Sequence, residues 1–161
     1  MNKSIFDIRS LQAIFYDFDG VMTDNRVLVD ETGKEAVFVN RGDGYAIAKI
    51  KEFGIHQVII STETNPVVER RAEKLYIPVV HGIEDKGSIV KKYCSEYGFD
   101  VRNCLFVGND LNDLPAFGIV GYKAAPADAE KEILQLADWV AESKGGHGCI
   151  RELYRWLSMG F

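Results

Sequence analysis

Short apolar runs of strand length alternate with helix-like stretches along almost the whole chain, and this alternation limits the possible folds more than any other feature of the sequence. Four of the runs predict core strands, at 11–16, 57–60, 78–80 and 104–107. Strands separated by helices pair in parallel, because each helix returns the chain to the same end of the sheet. The pattern therefore predicts an α/β fold of Rossmann-like type, a three-layer α/β/α sandwich around a central parallel sheet.

One segment departs from this alternation. Two strand-like runs at 26–29 and 36–39 are joined by Asp-Glu-Thr-Gly, a sequence typical of a hairpin turn. We therefore expect a small β-hairpin insertion at 26–40 and no cap domain. With no repeats and no linker, the chain is expected to form one domain at 1–161, with a C-terminal tail at 145–161 that begins at a glycine-rich break. Asp43 is expected to cap the helix that follows the hairpin, and Asp85 to cap a later helix that ends near Gly98. A final helix is expected from Cys149, after the glycine-rich break.

The composition narrows the classes of function. The net charge of −5 argues against non-specific binding of nucleic acid, which needs a basic surface. The sequence shows no signal peptide and no apolar run near the roughly 20 residues that cross a bilayer. The three cysteines have no spacing typical of a metal or redox site. These features predict a cytoplasmic protein that binds neither nucleic acid nor membrane.

Two carboxylates stand two residues apart directly after the first strand, at Asp17 and Asp19. Ligands of parallel sheets bind beyond the carboxyl ends of the strands, so both acids lie where a ligand is expected. Such closely spaced anions repel each other unless a cation lies between them. One acid can then attack phosphorus while the other passes a proton to the leaving oxygen. Without the flanking strand, a solvated turn would be the better interpretation of this spacing.

Later strand ends carry further polar residues in an order that predicts convergence on the same point. Ser61 follows the second core strand, Lys86 begins a helix, and Asn109 and Asp110 follow the fourth core strand. Each alone fits a turn, a solvated side chain or a helix cap. Together they can supply a hydroxyl donor, a cation and metal-binding oxygens to one phosphoryl group.

These residues resemble the four motifs of the haloacid dehalogenase superfamily, and the resemblance implies a Mg²⁺-dependent phosphatase that forms a phospho-aspartate. Asp17 would be the nucleophile and a metal ligand. Asp19 would be the general acid/base, with its backbone carbonyl on the metal. Ser61 would hold the phosphoryl group, and Lys86 would brace it and orient Asp17. The matching segments are Asp-Phe-Asp-Gly-Val-Met-Thr at 17–23, Ser61, Lys86 and Gly-Asn-Asp-Leu-Asn-Asp at 108–113.

The early hairpin, Asn-Arg-Gly-Asp-Gly-Tyr at 40–45, Arg-Ala-Glu-Lys-Leu at 71–75 and Gly-Gly-His-Gly-Cys-Ile-Arg-Glu at 145–152 extend the match over essentially the whole chain. With these segments the sequence resembles the capless sugar-acid phosphatases of this superfamily. That group includes enzymes for 3-deoxy-D-manno-octulosonate 8-phosphate and for the nine-carbon N-acylneuraminate and deaminoneuraminate 9-phosphates. The resemblance implies a homotetramer in which hairpins associate and a neighbouring subunit helps to close each active site. Octulosonate enzymes usually carry arginine at the position of Glu63, so nonulosonate 9-phosphates are favoured. Thr62, Glu63, Arg71 and Lys74 are the expected substrate-binding residues, although a solvated helix face also fits Arg71 and Lys74.

One departure from the family pattern concerns the metal. The residue after the glycine of the fourth motif is normally an aspartate that binds it, whereas this chain has Asn109. An amide oxygen can still coordinate Mg²⁺, with less charge, and Asp110 could substitute directly or through water. The expected metal ligands are Asp17, Asp19 and either Asn109 or Asp110. The role of His147, in the glycine-rich segment, stays open between a neighbour's site and a solvent-exposed loop.

Two other functions fit parts of the sequence. A phosphorelay receiver domain uses similar groups, but its acceptor aspartate ends the third strand, where this chain has Val-Val-His at 79–81. The second alternative is a weakly active or inactive tetramerisation module, like the C-terminal domain of some cytidylyltransferases that activate sialic acids. Asn109 fits this second alternative, whereas the intact acids, serine and lysine of the motifs oppose it.

Overall fold

The computed structural model describes residues 8–160, in which helices and strands alternate as the sequence predicts. Short 3-10 turns at Ile8–Ser10, Val101–Asn103 and Leu111–Asp113 supplement the main elements. Along the chain the main elements are β1 (Ala13–Tyr16), β2 (Thr23–Val29), β3 (Glu35–Val39), α1 (Arg41–Glu52), β4 (His56–Ile60), α2 (Val67–Leu75), β5 (Val79–Val80), α3 (Lys86–Tyr97), β6 (Cys104–Val107), α4 (Leu114–Phe117), β7 (Tyr122–Ala125), α5 (Lys131–Leu136), β8 (Trp139–Val140) and α6 (Cys149–Ser158).

The main sheet has the strand order β5-β4-β1-β6-β7-β8, and each neighbouring pair is parallel. The first strand lies in the centre, where Tyr16 is in register with Ile59 of β4 and with Val107 of β6. These three strands therefore end at the same level. The loops that follow them meet at one edge of the sheet, which confirms the predicted fold class.

Side-chain alternation along β1 separates two apolar cores, as expected for a strand that is covered on both faces. Ile14 and Tyr16 point to the layer of α1, α2 and α6, whereas Ala13 and Phe15 point to the layer of α3, α4 and α5. All four are fully buried. At about 25 cal/mol per Å² of apolar surface, burial on both faces makes this strand a large contributor to the stability of the sandwich.

Helix caps show where local sequence rules were sufficient and where they were not. Asp85 caps α3 as predicted, since its side chain accepts the N–H groups of Gly87 and Ser88. The prediction that Asp43 caps α1 is wrong. Asn40 is the cap and accepts the N–H of Gly42, while Asp43 lies inside the first turn and is buried. Both residue types suit a cap, so the hairpin, which delivers the chain to the helix at Asn40, decides between them.

The predicted insertion is an antiparallel hairpin of β2 and β3 that forms its own two-stranded sheet. Its first strand begins at Thr23, three residues earlier than the pattern predicts, and is irregular between Thr23 and Val27. Asn25, in this irregularity, has a φ of +65°. Residues 1–7 and 161 lie outside the described residues, so the predicted limits of the domain (1–161) and of its tail (145–161) stay predictions. Among the described residues, no helix has the length and apolar character to cross a membrane.

Candidate active site

The four predicted motifs, three of them with catalytic residues and the fourth with a metal ligand, lie at the edge where β1, β4 and β6 end. Asp17 follows β1, Ser61 follows β4, Lys86 begins α3, and Asn109 lies two residues beyond β6. The main chain is tied together here, because the N–H of Asp17 donates to the carbonyl of Val107 at 2.9 Å. Polar side chains as buried as these are uncommon and need partners. Their relative exposures are 4% for Asp17, 1% for Ser61, 0% for Lys86 and 7% for Asn109.

Lys86 joins two buried carboxylates. Its Nζ lies 2.7 Å from Oδ1 of Asp17 and 2.6 Å from Oδ1 of Asp113. Burial alone would lower the pKa of Lys86, but Asp17 and Asp113 together raise it above its usual value. The ammonium group therefore stays charged and fixes the position of the Asp17 carboxylate.

Asp113 belongs to the site, although the sequence pattern predicts no separate role for it. It is fully buried, and its Oδ2 accepts the N–H of Asn109 at 2.8 Å and that of Asp110 at 3.2 Å. The segment 108–113 was part of the resemblance, but no role was given to its last residue. Its position four residues after Asn109 was the available signal, because one helical turn lets a carboxylate reach back to the start of the loop.

The two oxygens of the Asp17 carboxylate have different neighbours. Its Oδ1 also accepts the N–H of Phe18 at 2.7 Å, and its Oδ2 faces the side-chain amide of Asn109. Burial, with the nearby charge of Asp113, raises the pKa of Asp17 to about 7, and Lys86 offsets part of this rise. A further cation beside Oδ2 would favour the ionised form that a nucleophile needs.

Three oxygen atoms converge beside Asp17 in an arrangement that fits a small divalent cation. The side-chain oxygen of Asn109 lies 3.0 Å from Oδ2 of Asp17 and 2.9 Å from the backbone oxygen of Asp19. Mg²⁺ holds oxygen ligands at about 2.0–2.1 Å in an octahedron, which places adjacent ligands about 3 Å apart. The described residues contain no metal-binding group of three or more His, Cys, Asp or Glu side chains. One carboxylate, one carbonyl and one amide are nonetheless a sufficient protein set for an ion that keeps several waters.

A tight turn at Gly20 makes this convergence possible. Gly20 has a φ of +82°, and a Cβ there would lie 2.1 Å from Nδ2 of Asn109, so only glycine fits. The hydroxyl oxygen of Thr23 accepts the N–H of Gly20 at 3.2 Å. The C-terminal glycine segment packs on the outside of the turn, where Gly146 donates to the carbonyl of Val21 at 3.0 Å. The turn is therefore enclosed on both sides.

Asp110 and His147 point away from this oxygen cluster. Asp110 is exposed, and its Oδ1 accepts the N–H of Leu111 at 2.6 Å, so it caps the short turn that follows. His147 is also exposed, with its Nδ1 2.7 Å from the carbonyl oxygen of Gly145, and it borders a separate cleft beside α6. Of the two predicted candidates for the third metal ligand, the structure brings Asn109 into the cluster.

A cleft between the hairpin and α2 opens onto Asp19. Burial, together with the nearby charge of Glu63, raises the pKa of Asp19. The cation of the cleft, Arg26, is paired with Asp24 at 2.7 Å. The volume of about 180 Å³ lies below the roughly 300–1,000 Å³ of typical ligand pockets. The lining residues are Asp19, Asn25, Arg26, Val27, Glu35, Val37, Glu63, Asn65, Val67 and Val68.

The other predicted substrate-binding residues lie outside this cleft. Arg71 is half-buried and donates to the carbonyl of Asn40 at 2.9 Å, whereas Lys74 is exposed on α2. The hydroxyl of Thr62 accepts a hydrogen bond from Asn112 at 3.4 Å, which links the loops after β4 and β6. Of the four predicted substrate-binding residues, Glu63 alone lines the cleft beside Asp19.

Comparison with known proteins identifies the family. The family model of the haloacid dehalogenase-like hydrolases matches residues 63–153, more than half of the chain. The chain belongs to this family. The 3-deoxy-D-manno-octulosonate 8-phosphate phosphatase of Yersinia pestis is 30% identical over 145 residues, which are 89% of this chain and 78% of that protein. The predicted enzyme class, a phosphatase of the haloacid dehalogenase type, is therefore confirmed.

Two solved structures resemble nearly the whole fold. A HAD family hydrolase of Streptomyces avermitilis has 44% identity and a TM-score of 0.92, and the match covers 98% of this chain and 96% of that one. The cobalt-bound octulosonate 8-phosphate phosphatase of Haemophilus influenzae has 26% identity and a TM-score of 0.91, with 96% and 91% covered.

A longer relative matches only in part. N-acylneuraminate cytidylyltransferase A of Danio rerio is 25% identical over 146 residues, which are 88% of this chain but 34% of that protein. This chain therefore spans about a third of that relative.

Proposed function

We propose that the chain hydrolyses the phosphomonoester of a 3-deoxy-2-keto sugar acid with the help of Mg²⁺, and that it favours nonulosonate 9-phosphates over octulosonate 8-phosphate. The observation that carries the proposal is the Asp17 carboxylate, held between the ammonium of Lys86 and the oxygen cluster at Asn109. The solved structure of the Haemophilus influenzae relative is a cobalt-bound form, which supports a divalent cation as the cofactor.

In the proposed reaction, Asp17 attacks the phosphorus atom. The bond from phosphorus to the ester oxygen breaks, the phosphoryl group passes to Asp17, and Asp19 donates a proton to the departing alcohol. Asp19 then takes a proton from water, which attacks the phospho-aspartate and releases inorganic phosphate. The Asp17 carboxylate, the Asp19 carbonyl and the amide oxygen of Asn109 would hold Mg²⁺, which would supply the positive charge that lets a carboxylate approach a phosphate.

The environments of the two acids suit these different roles. Lys86 and the N–H of Phe18 hold the Asp17 carboxylate in one orientation, which limits the entropy lost on reaching the reactive geometry. Asp19 borders the cleft, and its raised pKa favours the protonated form that must donate to the leaving group. Because burial also raises the pKa of Asp17, to about 7, position distinguishes the two roles: Lys86 and Phe18 fix Asp17, whereas Asp19 borders the cleft where the leaving group would lie.

Ser61 and Lys86 are the proposed donors to the transferring phosphoryl oxygens. The oxygen of the Ser61 hydroxyl accepts the N–H of Glu63 at 3.1 Å, which leaves its hydrogen free to donate to a phosphoryl oxygen. Lys86 is already desolvated, so its charge acts at short range without the loss of a hydration shell.

We also propose that a homotetramer completes the substrate site. The cleft of one chain is small and carries the carboxylates of Asp19, Glu35 and Glu63, which repel a substrate with a phosphate and a carboxylate. Arg71 and Lys74 lie outside it, so their proposed contact with the sugar carboxylate would be made in the cleft of a neighbouring subunit. The location in the cytoplasm stays a prediction, which the three buried free cysteines at 94, 104 and 149 support.

A second candidate function is a tetramerisation module with weak or no activity. It is favoured by Asn109 in place of the usual aspartate and by the likeness to one third of a cytidylyltransferase that acts in sialic-acid activation. The buried set of Asp17, Lys86 and Asp113 argues against it, because burying three charges is costly and a module without chemistry would not need them.

Phosphate release separates these possibilities. The panel contains octulosonate 8-phosphate, nonulosonate 9-phosphates and p-nitrophenyl phosphate, each with Mg²⁺ and with a chelator. We expect Mg²⁺-dependent release that Asp17→Asn lowers by about 10³-fold or more and that Glu132→Gln, on exposed α5, leaves unchanged. Preference for an unrelated phosphate would reject the sugar-acid substrate, and release that survives Asp17→Asn would reject the mechanism.

A further inference from the structure

The side-chain amide of Asn109 lies between two different environments. On one side are Oδ2 of Asp17 at 3.0 Å and the backbone oxygen of Asp19 at 2.9 Å, both hydrogen-bond acceptors. On the other side is the turn at Gly20, where an added Cβ would lie 2.1 Å from Nδ2 of Asn109. An amide has an oxygen at one end and an NH₂ group at the other, so its two orientations place opposite chemistry beside Asp17.

With the oxygen turned inward, Asn109 places a third acceptor beside two acceptors, while its NH₂ group faces only donors. In this orientation the amide makes no hydrogen bond to Asp17 or Asp19, whereas a cation between the three oxygens would attract all of them. With the NH₂ group turned inward, it donates to Asp17 at 3.0 Å and to the Asp19 carbonyl at 2.9 Å, and the amide oxygen faces the donors. Satisfying buried polar groups in this way is strongly favoured.

The main chain of Asn109 is fixed, so the change is confined to the amide. Its N–H donates to Asp113 at 2.8 Å, and its carbonyl accepts the N–H of Glu130 at 2.8 Å. The residue is 7% exposed. Because Gly20 has no side chain, either end of the amide fits against the turn. Rotation about the terminal side-chain torsion exchanges the two ends without moving any backbone atom.

We propose that Asn109 is a two-position amide that competes with the divalent cation for the oxygens of Asp17 and Asp19. Without the cation, the NH₂ group is inward and holds the two aspartates together. With the cation, the amide oxygen is inward as the third protein ligand. The proposal rests on the proposed metal site, and it adds a specific consequence of asparagine, because an aspartate has no hydrogen to donate in the first position.

Two measurable differences from an aspartate follow. The cation must displace two hydrogen bonds, one of them to a carboxylate, so Asn109→Asp should bind Mg²⁺ roughly tenfold or more tightly than the natural chain. Without the cation, Asn109→Asp places a third anionic group beside Asp17 and Asp113, so its melting temperature should fall by several degrees.

The direct test is the ¹⁵N-labelled side-chain NH₂ signal of Asn109, assigned by its loss in Asn109→Asp, during a Mg²⁺ titration. We expect the signal to move or exchange at the Mg²⁺ concentration that also raises the melting temperature. Melting curves of Asn109→Asp and of the matched control Asn112→Asp, in the same loop, are recorded with Mg²⁺ and with a chelator. The control should keep the chelated melting temperature of the natural chain.

An Asn109 signal unchanged by saturating Mg²⁺ would overturn the proposal, as would an Asn109→Asp variant with natural stability and natural Mg²⁺ affinity. p-Nitrophenyl phosphate hydrolysis, measured on the same samples, separates this failure from failure of the proposed function. Mg²⁺-dependent turnover without an amide response rejects only the two-position amide. An amide response without turnover rejects only the phosphatase mechanism.

Discussion

The candidate active site at the strand ends and the β2–β3 hairpin differ in how their side chains are partnered. At the strand ends, the buried charges of Asp17, Lys86 and Asp113 find their partners within 2.6–2.7 Å inside one subunit. On the hairpin, Leu28 and Phe38 are 66% and 70% exposed. The buried charges thus find their partners within the chain, whereas the apolar side chains of the hairpin stay exposed among the described residues.

The two faces of the hairpin make the contrast sharper. Val27 and Val37 are in register and line the cleft, so they belong to the inner face. Leu28 and its partner Ala36 lie on the opposite face, as does Phe38, because side chains alternate along a strand. Exposed apolar patches of this kind mark interaction surfaces. The outer face therefore supports the proposed tetramer.

The largest expected effect follows from replacing Lys86, which pairs with both buried carboxylates of the site. Lys86→Met leaves Asp17 and Asp113 buried without their cation, which should cost about 3–5 kcal/mol of unfolding free energy and most of the activity. Urea unfolding and p-nitrophenyl phosphate hydrolysis measure the two losses. Lys91→Met, exposed on the same helix, should change stability by less than about 0.5 kcal/mol. Equal effects of the two variants would contradict the role of Lys86.

The next largest effect is a pH dependence of stability at Asp43, in the first turn of α1, where the chain returns from the hairpin. Neither carboxylate oxygen of Asp43 has a hydrogen-bond partner, and burial raises its pKa to about 7, with Arg71 offsetting part of the rise. Between about pH 4 and pH 7, the folded chain keeps a proton that the unfolded chain has released. The free energy of unfolding should therefore fall as pH rises through this window, by up to ~4 kcal/mol.

Asp43→Asn removes this titration, so its unfolding free energy should fall less over the same window. Urea unfolding of both proteins from pH 4 to pH 8 provides the measurement. If the unfolding free energies of the two proteins changed in parallel with pH, the pKa of Asp43 would not be raised in the folded chain, and the prediction would be wrong.

A smaller effect is expected on the hairpin. Leu28→Asp should break the proposed tetramer and lower the proposed hydrolysis of sugar-acid phosphates by about tenfold, while p-nitrophenyl phosphate hydrolysis changes by less than about threefold. Sedimentation and kinetics on both substrates check this expectation. Leu136→Asp, a half-exposed leucine on α5, is the matched control. Equal losses on both substrates would mean that the hairpin supports the catalytic site itself.

The smallest expected effect concerns substrate choice. Glu63→Arg should shift the ratio of kcat/KM for nonulosonate 9-phosphate and octulosonate 8-phosphate severalfold toward the eight-carbon substrate, because Glu63 lines the cleft beside Asp19. The hydrolysis of p-nitrophenyl phosphate provides the baseline. An unchanged ratio would remove Glu63 from the proposed specificity.

Parts of the fold could be predicted because their signals are local. The final helix begins at Cys149, directly after the glycine-rich break, and the cap at Asp85 was placed correctly. The cap of α1 was misplaced because Asn40 and Asp43 both have suitable side chains, and the choice depends on where the hairpin ends. Local preference gives possible boundaries, and contacts distant in sequence select among them.

The sequence alone determined the order of strands and helices and the positions of Asp17, Asp19, Ser61 and Lys86 at strand ends and helix starts, because alternation and strand termination are local properties. Only the tertiary structure decided that Asp113 shares Lys86 with Asp17, that Asn109 faces the metal-binding oxygens while Asp110 does not, and that Arg71 lies outside its own cleft. The direction and burial of a side chain depend on the loops packed around it, and the spacing of residues does not encode that packing.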